Sequence, residues 1–271
     1  MKNIKLLNYS DIDNMNISEV TVWRLEYNNP EEFIDHKMDY EKTPIMYGIE
    51  LEINYLQGWN FRKRLAKYQE ENNIDFFHCK TDSTLDEGIE IITHPFSKAW
   101  FTNNQNHFRN LLTIIYKSNG KIGRNTGLHI HISRQGIKNS TKAKLFHFIN
   151  ESENRSLISD IAGREQSSNY FNYYSWETLL SQEWLNRYEQ NSWKYEAVNW
   201  QHNNSIEIRI FKATTKTNYL FARLQFIFLA IEFIKKTPVI ECTARNFINY
   251  ISKQTKYKDI LEYIRDKELS Y

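Results

Sequence analysis

The chain has 271 residues, 41% of them hydrophobic, which is enough for one large domain or two small ones with a sizeable core. Its 35 basic and 33 acidic residues leave a net charge of +2, so a nucleic-acid partner is not indicated. The two distant cysteines fit neither a zinc-ligand spacing nor a disulfide scaffold, and no signal peptide or membrane-spanning run is apparent. We therefore expect a soluble, cytoplasmic protein without a membrane partner.

The first half of the chain opens with a polar segment and continues as strands and helices. Residues 1–44 are polar and rich in acidic side chains, and they end at a Lys-Thr-Pro break, so we interpret them as an N-terminal accessory arm. The polar, glycine-ended segment 83–88 suits a hairpin turn that would bring Asp82 and Glu90 close together. In chain order, the predicted elements are a strand at 46–54, a helix at 59–71, strands at 74–81 and 88–93, and a helix at 98–118.

The second half of the chain contains two more alternating strands and the most apolar helix. Ser140 and Thr141 would cap a helix that ends at Gly163. Residues 164–196 are aromatic and polar without clear periodicity, so we expect a long loop or short helices of the kind that often carry substrate contacts. In chain order, the predicted elements are a strand at 127–133, a helix at 140–162, a strand at 205–212, and helices at 218–235, 243–252 and 256–267.

Three predicted strands each carry two ionisable side chains that alternate with aliphatic residues, so both would project from one face of the strand. Any one pair is ordinary, because a solvated strand face, a structural histidine or a surface ion pair explains it. Together they favour one site, in which carboxylates and imidazoles without thiolates suit Mg²⁺ or Mn²⁺ and an arginine suits a phosphoryl group. The pairs are Glu50 with Glu52, His129 with His131, and Glu207 with Arg209.

Four segments, taken in order, resemble a known enzyme family. They are Gly48-Ile-Glu-Leu-Glu52, Asp82-Ser-Thr-Leu-Asp-Glu-Gly-Ile-Glu90, Gly127-Leu-His-Ile-His-Ile-Ser133 and Ile206-Glu-Ile-Arg-Ile-Phe211. This ordered set resembles the amidoligase family, which is similar in its catalytic core to glutamine synthetase and glutamate-cysteine ligase. The resemblance covers about residues 46–235 and implies an α+β fold, with a curved, mostly antiparallel sheet, a polar concave face and helices packed behind it.

The resemblance also implies an activity, its cofactors and its residues. It implies that ATP and Mg²⁺, or Mn²⁺, support formation of an amide through an acyl phosphate, from a carboxylate and an amine on small molecules, peptides or proteins. One cation would be held by Glu52, Asp82 and Glu90, and a second by Glu50, His129 and Glu207. His131 would contact the phosphates of ATP, and Arg209 the phosphoryl group during transfer. The candidate substrate-binding residues are Lys80, Arg164, Tyr170 and Asn199.

We accordingly expect three parts in the chain: the arm at 1–44, an amidoligase-like catalytic domain at 45–237, and a C-terminal helical extension at 238–271 packed on the same domain. Other functions stay open at this point. The same site could serve a phosphotransferase that stops at the phosphorylated intermediate, or a non-catalytic nucleotide-binding or protein-interaction domain. A metal-dependent hydrolase is a weaker possibility, which turnover without ATP would reveal.

Overall fold

An open antiparallel sheet runs through the part of the chain that the computed structural model describes, namely residues 45–56, 59–164, 172–173, 196–199, 202 and 204–269. The predicted arm and most of segment 164–196 lie outside the described residues. The strands are β1 (Met46–Ile53), β2 (Phe77–Thr81), β3 (Ile89–Thr93), β4 (Phe96–Ser97), β5 (Gly127–Ser133), β6 (Val198–Asn199) and β7 (Ser205–Lys212). Their order across the sheet is β2-β3-β1-β5-β7-β6, and β4 pairs with the start of β1.

The strand register gives the sheet one polar and one apolar face. Residues that lie directly opposite each other in an antiparallel pair project to the same side of the sheet. Glu50 of β1 lies opposite His129 of β5, and His131 lies opposite Glu207 of β7. Glu52 lies opposite Glu90 of β3. The ionisable side chains of four neighbouring strands therefore share one face.

Eight helices and two short 3₁₀ turns accompany the sheet in the described residues. The helices are α1 (Trp59–Glu71), α2 (Lys98–Asn103), α3 (Gln105–Lys117), α4 (Asn139–Asn150), α5 (Arg155–Ala162), α6 (Thr217–Lys236), α7 (Ala244–Ile251) and α8 (Lys258–Asp266), and the turns are Ser152–Asn154 and Val239–Glu241. Helix α6 is the centre of this layer, because it contacts α3, α4, α5, α7 and α8.

Aromatic contacts join the apolar face of the sheet to the helices. The aliphatic residues Ile49, Leu51, Ile130 and Ile208 are completely buried. Above them, the ring of Phe228 in α6 meets Tyr47 of β1 edge-on, with ring centroids 4.5 Å apart. Burial of apolar surface is the main favourable term in folding, so this packing is what holds the sheet in place.

Helix α6 is also the one described helix that is long and apolar enough to cross a membrane, by length and composition alone. However, 78% of its most apolar window is buried inside the fold, as in a core helix. This burial is consistent with a soluble protein, whereas the cytoplasmic location stays a prediction.

Several sequence-based predictions are confirmed. The chain has mixed helices and strands with an antiparallel sheet, as the α+β class requires. The strands expected at 46–54, 127–133 and 205–212 are found within one residue of those bounds. The expected hairpin is present as the β2–β3 pair. Gly163 ends α5 with a φ of 68°, a left-handed conformation that glycine adopts without strain.

Three predicted elements are wrong in their extent. The helix expected at 98–118 is two helices, because Asn104 ends α2 and begins α3 while its side-chain amide donates to the Trp100 carbonyl. The helix expected at 140–162 is interrupted at Glu151, whose backbone is extended. The strand expected from 74 begins at Phe77, because the Gln69 side chain accepts from the backbone N–H groups of Phe76 and Phe77 instead.

We expect Phe228→Ala to lower the free energy of unfolding by about 3–5 kcal/mol, because a buried ring that touches Tyr47 and Phe101 is replaced by a cavity. Urea denaturation measures this change. Ile240→Ala is the control, since Ile240 is 83% exposed and its loss should cost almost nothing. Equal stability losses in the two variants would contradict the central position of α6.

Candidate metal and phosphate site

Six side chains on the polar face of the sheet form what we call the carboxylate–histidine cluster. Each of them is at most 9% exposed, although every one is ionisable. Burial of charged groups is costly unless partners compensate for the lost hydration. Its members are Glu50, Glu52, Glu90, His129, His131 and Glu207.

Glu50 lies at the centre of the cluster. Its Oε2 is 3.3 Å from Nδ1 of His129, and its Oε1 is 3.1 Å from Nε2 of His131. The same Nδ1 of His129 is 3.2 Å from Oε1 of Glu207. Two histidines two residues apart on β5 therefore both contact a carboxylate of β1, as the alternation of the strands predicts.

Two groups of side chains in the cluster have a geometry that could hold a metal ion. Each group offers three ligand atoms that all lie within 4.8 Å of one another, and every contributing residue is buried. Oxygen-rich sets of this kind suit hard divalent cations such as Mg²⁺ and Mn²⁺. The first group is Glu50, His131 and Glu207, and the second is Glu50, Glu90 and His129, so Glu50 belongs to both.

Glu207 accepts hydrogen bonds from a ring of donors. Its Oε2 is 2.7 Å from the amide nitrogen of Asn199 and 3.2 Å from Nε2 of His202, and its Oε1 is 2.5 Å from a terminal nitrogen of Arg209. Burial alone would raise the pKa of Glu207, but the hydrogen bond from His202 and the attraction of Arg209 and His129 lower it well below its ordinary value. Glu207 is therefore ionised throughout the physiological range.

Glu50 is also held as a carboxylate. Burial would raise its pKa, but the attraction of His131 and hydrogen bonds with His129, His131 and Glu90 lower it well below its ordinary value. Arg209 responds in the opposite sense. Burial would lower its pKa, but the charges of Glu207, Glu50 and Glu52 raise it, so its guanidinium stays positive beside the carboxylates.

The backbone at this point of the sheet is irregular. The register between β5 and β7 shifts around His129, so that Arg209 and Ile210 of β7 both fall opposite this single residue. A bulge of this type bends the strand and re-aims a side chain, and bulges are frequent beside active sites. Here the bulge lies at Arg209, which contacts Glu207 of the cluster.

Gly127 allows the backbone of β5 to approach the cluster closely. Its N–H donates to Oε2 of Glu52 at 2.5 Å. A Cβ atom added to Gly127 would lie 2.9 Å from Nε2 of His129 and 3.3 Å from a terminal nitrogen of Arg164. Only glycine leaves this space open, so Gly127 permits the close approach of this backbone to Glu52 and His129.

The other site residues predicted from the sequence do not belong to the carboxylate–histidine cluster. Lys80 lies opposite Glu90 and its Nζ is 3.4 Å from Oε2 of that residue. Arg164 donates to the Thr126 carbonyl at 2.6 Å, at the edge of the cluster. Asp82 lies in the β2–β3 turn, where its carboxylate accepts from the N–H and hydroxyl of Thr84. Neither of the two metal-ligand groups includes Asp82, and Tyr170 lies outside the described residues.

Two residues of the site, His202 and Ser205, were not predicted from the sequence. His202 contacts Glu207 and packs edge-on against His131, with ring centroids 5.3 Å apart. It precedes β7 and is out of phase with the alternation of that strand, so periodicity could not identify it. The hydroxyl of Ser205 is 3.2 Å from Nδ1 of His131. Its in-phase position, two residues before Glu207, was the available signal.

Comparison with known proteins adds no relative to this description. No protein-family model matches the chain, and no curated protein matches its sequence significantly.

We expect Mg²⁺ or Mn²⁺ to raise the melting temperature of the protein, and Glu50→Gln to abolish this rise, because Glu50 belongs to both metal-ligand groups. A cation at 100 times its Kd stabilises by about 2.7 kcal/mol, a shift of several degrees in a thermal melt. Glu151→Gln is the control, since Glu151 contacts His147 away from the cluster. A cation response that survives in Glu50→Gln would contradict the metal assignment.

We also expect a pH dependence of stability that Glu207 helps to set. Its pKa is lower in the folded protein than in the unfolded chain, so its contribution is complete above about pH 5. This contribution declines progressively as the pH falls below the unfolded value near about 4.3 toward the lower pKa of the folded protein. Each proton taken up on unfolding changes the slope of the unfolding free energy against pH by about 1.4 kcal/mol per pH unit. Urea denaturation from pH 6 to pH 3 should therefore show that the unfolding free energy of Glu207→Gln decreases less steeply than that of the wild type.

The control for this pH series is Glu71→Gln, which removes a glutamate whose side chain is 60% exposed. It should follow the wild-type profile. Parallel profiles for the wild type and Glu207→Gln would show that the ionisation of Glu207 does not support the fold.

Proposed function

We propose that this protein is an ATP-dependent carboxylate–amine ligase that resembles the amidoligase family and has a catalytic core similar to that of glutamine synthetase. The observation that carries the proposal is the pair of metal-ligand groups that share Glu50, with a buried arginine beside them. In the proposed reaction, a substrate carboxylate attacks the γ-phosphorus of ATP and releases ADP. An amine then attacks the acyl phosphate, loses a proton and releases phosphate, which leaves an amide.

The donor set of the cluster fits divalent cations. Four buried carboxylates lie on one face of the sheet, and the lowered pKa values of Glu50 and Glu207 keep these two ionised at neutral pH. Bound Mg²⁺ or Mn²⁺ would offset the repulsion between the phosphates of ATP and the carboxylate substrate, and would stabilise the charge of the transferred group. Glu50, His129, Glu90, His131 and Glu207 are the residues that would hold these ions.

Arg209 is the residue that we assign to the phosphoryl group. Its Nε is buried and has no hydrogen-bond partner among the described residues, while one terminal nitrogen donates to Glu207. Buried donors without partners are rare in folded proteins, and a guanidinium offers several donors in a plane that matches phosphate oxygens. The Nε of Arg209 is therefore available to an anionic ligand.

The neighbours of these residues are assigned positioning roles. Asn199 donates to Glu207, so we infer that it orients this carboxylate and does not itself bind the substrate. The hydroxyl of Ser205 lies 3.2 Å from Nδ1 of His131, so we infer that it orients this ring, whose opposite nitrogen lies 3.1 Å from Oε1 of Glu50. Lys80 and Arg164 are cations at two edges of the cluster, which suits them to bind a substrate carboxylate.

Product analysis tests the proposal. The protein is incubated with ATP, Mg²⁺ and pooled carboxylic acids and amines, and nucleotides and new masses are measured together. If the protein is a ligase, ADP, phosphate and an amide should appear together in equal amounts. A phosphorylated acid without an amide would indicate the phosphotransferase instead, and saturable ATP binding without turnover would indicate the non-catalytic domain. Turnover without ATP would indicate a hydrolase.

We expect Arg209→Lys to lower the ligase rate by at least about 1,000-fold, because lysine keeps the charge but loses the planar set of donors that stabilises a transferred phosphoryl group. The steady-state rate of ADP release measures this loss. Glu232→Gln is the control, since Glu232 forms an ion pair with Lys98 in the helical layer. This control should retain its activity even if its stability falls. Retention of more than about a tenth of the wild-type rate in Arg209→Lys would exclude the assigned role.

A further inference from the structure

A third group of potential metal ligands in the described residues lies outside the carboxylate–histidine cluster. Asp75, His78 and His94 each offer one ligand atom, and these three atoms lie within 4.8 Å of one another. Oδ1 of Asp75 is 3.8 Å from Nε2 of His78, and the two imidazole rings meet edge-on with centroids 4.5 Å apart. We call this group the Asp–His–His triad.

The backbone around the triad is fixed by buried hydrogen bonds. The side chain of Gln69 accepts from the N–H groups of Phe76 and Phe77, and its amide nitrogen donates to the Phe77 carbonyl. The N–H of His94 donates to the Phe76 carbonyl at 2.9 Å. Asp75 and His78 flank this fixed dipeptide, and His94 is bonded to it, so all three members of the triad are attached to one rigid segment.

A cluster of aromatic rings packs against the same segment. Phe76 contacts Trp100 with ring centroids 4.4 Å apart, and it contacts Phe77 and Phe108 at 4.9 and 5.7 Å. Packed rings of this kind hold their neighbours in place, and metal sites on rigid elements keep their ligands in register. The triad is therefore preorganised by its scaffold.

We propose that the Asp–His–His triad binds a transition-metal ion of the zinc class. Two imidazoles and one carboxylate are a typical ligand set for Zn²⁺, which prefers nitrogen donors more strongly than Mg²⁺ does. Three protein ligands leave a fourth tetrahedral position for water or another small ligand. Zinc ligands lie about 2.0–2.2 Å from the ion, so the three ligand atoms, which lie within 4.8 Å of one another, would draw closer together on binding.

The protonation state of the histidines agrees with this geometry. Burial lowers the pKa of His78 to about 3, with a further contribution from His94, and burial also lowers the pKa of His94. Both rings are therefore neutral at pH 7, which is the form that ligates a metal. The contact between Asp75 and His78 is consequently not an ion pair at this pH.

The triad is separate from the carboxylate–histidine cluster. The two groups share no residue. His78 lies opposite Ile92, and Ile92 lies opposite Glu50, so β3 stands between His78 and Glu50. Glu90, the cluster member on β3 itself, is opposite Lys80. At roughly 4.8 Å between neighbouring strands, the backbones that carry His78 and Glu50 are about 10 Å apart. The metal would connect the segment before β2 to the end of β3. It would thus fasten the edge strand that carries Lys80.

Isothermal titration with Zn²⁺ tests the proposal. The wild type should bind one equivalent of zinc that the double variant His78→Gln, His94→Gln does not bind. Glu50→Gln should retain this equivalent, because it alters only the carboxylate–histidine cluster. His147→Ala is the matched control, since it removes an imidazole that is 3.6 Å from Glu151 and distant in sequence from the triad.

Asp75→Asn provides a second variant that cannot fail through loss of the core, because Asp75 is exposed. It should weaken zinc binding by at least the roughly 10- to 100-fold that is typical when the support of a ligand is lost. The proposal is overturned if the double variant binds as many zinc ions as the wild type with equal affinity. It is also overturned if Glu50→Gln alone abolishes zinc binding, or if Asp75→Asn leaves the affinity unchanged.

Discussion

The structure depends on one constraint, which is that charged and aliphatic residues alternate along β1, β5 and β7 while the three strands pair antiparallel in a fixed register. A slip of one residue would move every ionisable side chain of a strand into the apolar core, so the register is strongly specified. The same register brings carboxylates close together on the other face. Arginine, asparagine and histidine side chains compensate for their mutual repulsion, and this arrangement suits the binding of cations.

The helical layer contributes to the site through β7. Arg223 of α6 is buried, and its guanidinium donates to the carbonyls of Ile161 in α5 and Lys212 at the end of β7. The strand that carries Glu207 and Arg209 is thereby attached to the two helices behind it. Burial lowers the pKa of Arg223 to about 10, which still leaves it charged at neutral pH. Stability of the core and the position of the site are therefore coupled.

The long strands and their polar pairs were predictable, because the alternation of charged and aliphatic residues that indicates a strand is visible in the local sequence alone. The sequence also predicted α6 to within one residue at each end. Features set by distant contacts were not predictable. The 3₁₀ turn at Ser152–Asn154 is one example, because the completely buried Asn154 donates to Phe148 and Cys242 and accepts from Ala244. His202 is another, since only the three-dimensional structure brings it to Glu207.

The central claim is that the polar face of the sheet binds divalent cations and the phosphates of a nucleotide. Crystals grown with Mn²⁺ and a non-hydrolysable ATP analogue test it most directly, since anomalous scattering locates the metal. The account predicts Mn²⁺ beside Glu50, with the terminal phosphate within hydrogen-bonding distance of Arg209. Nucleotide bound elsewhere, or a carboxylate–histidine cluster without Mn²⁺ at saturating concentration, would contradict it.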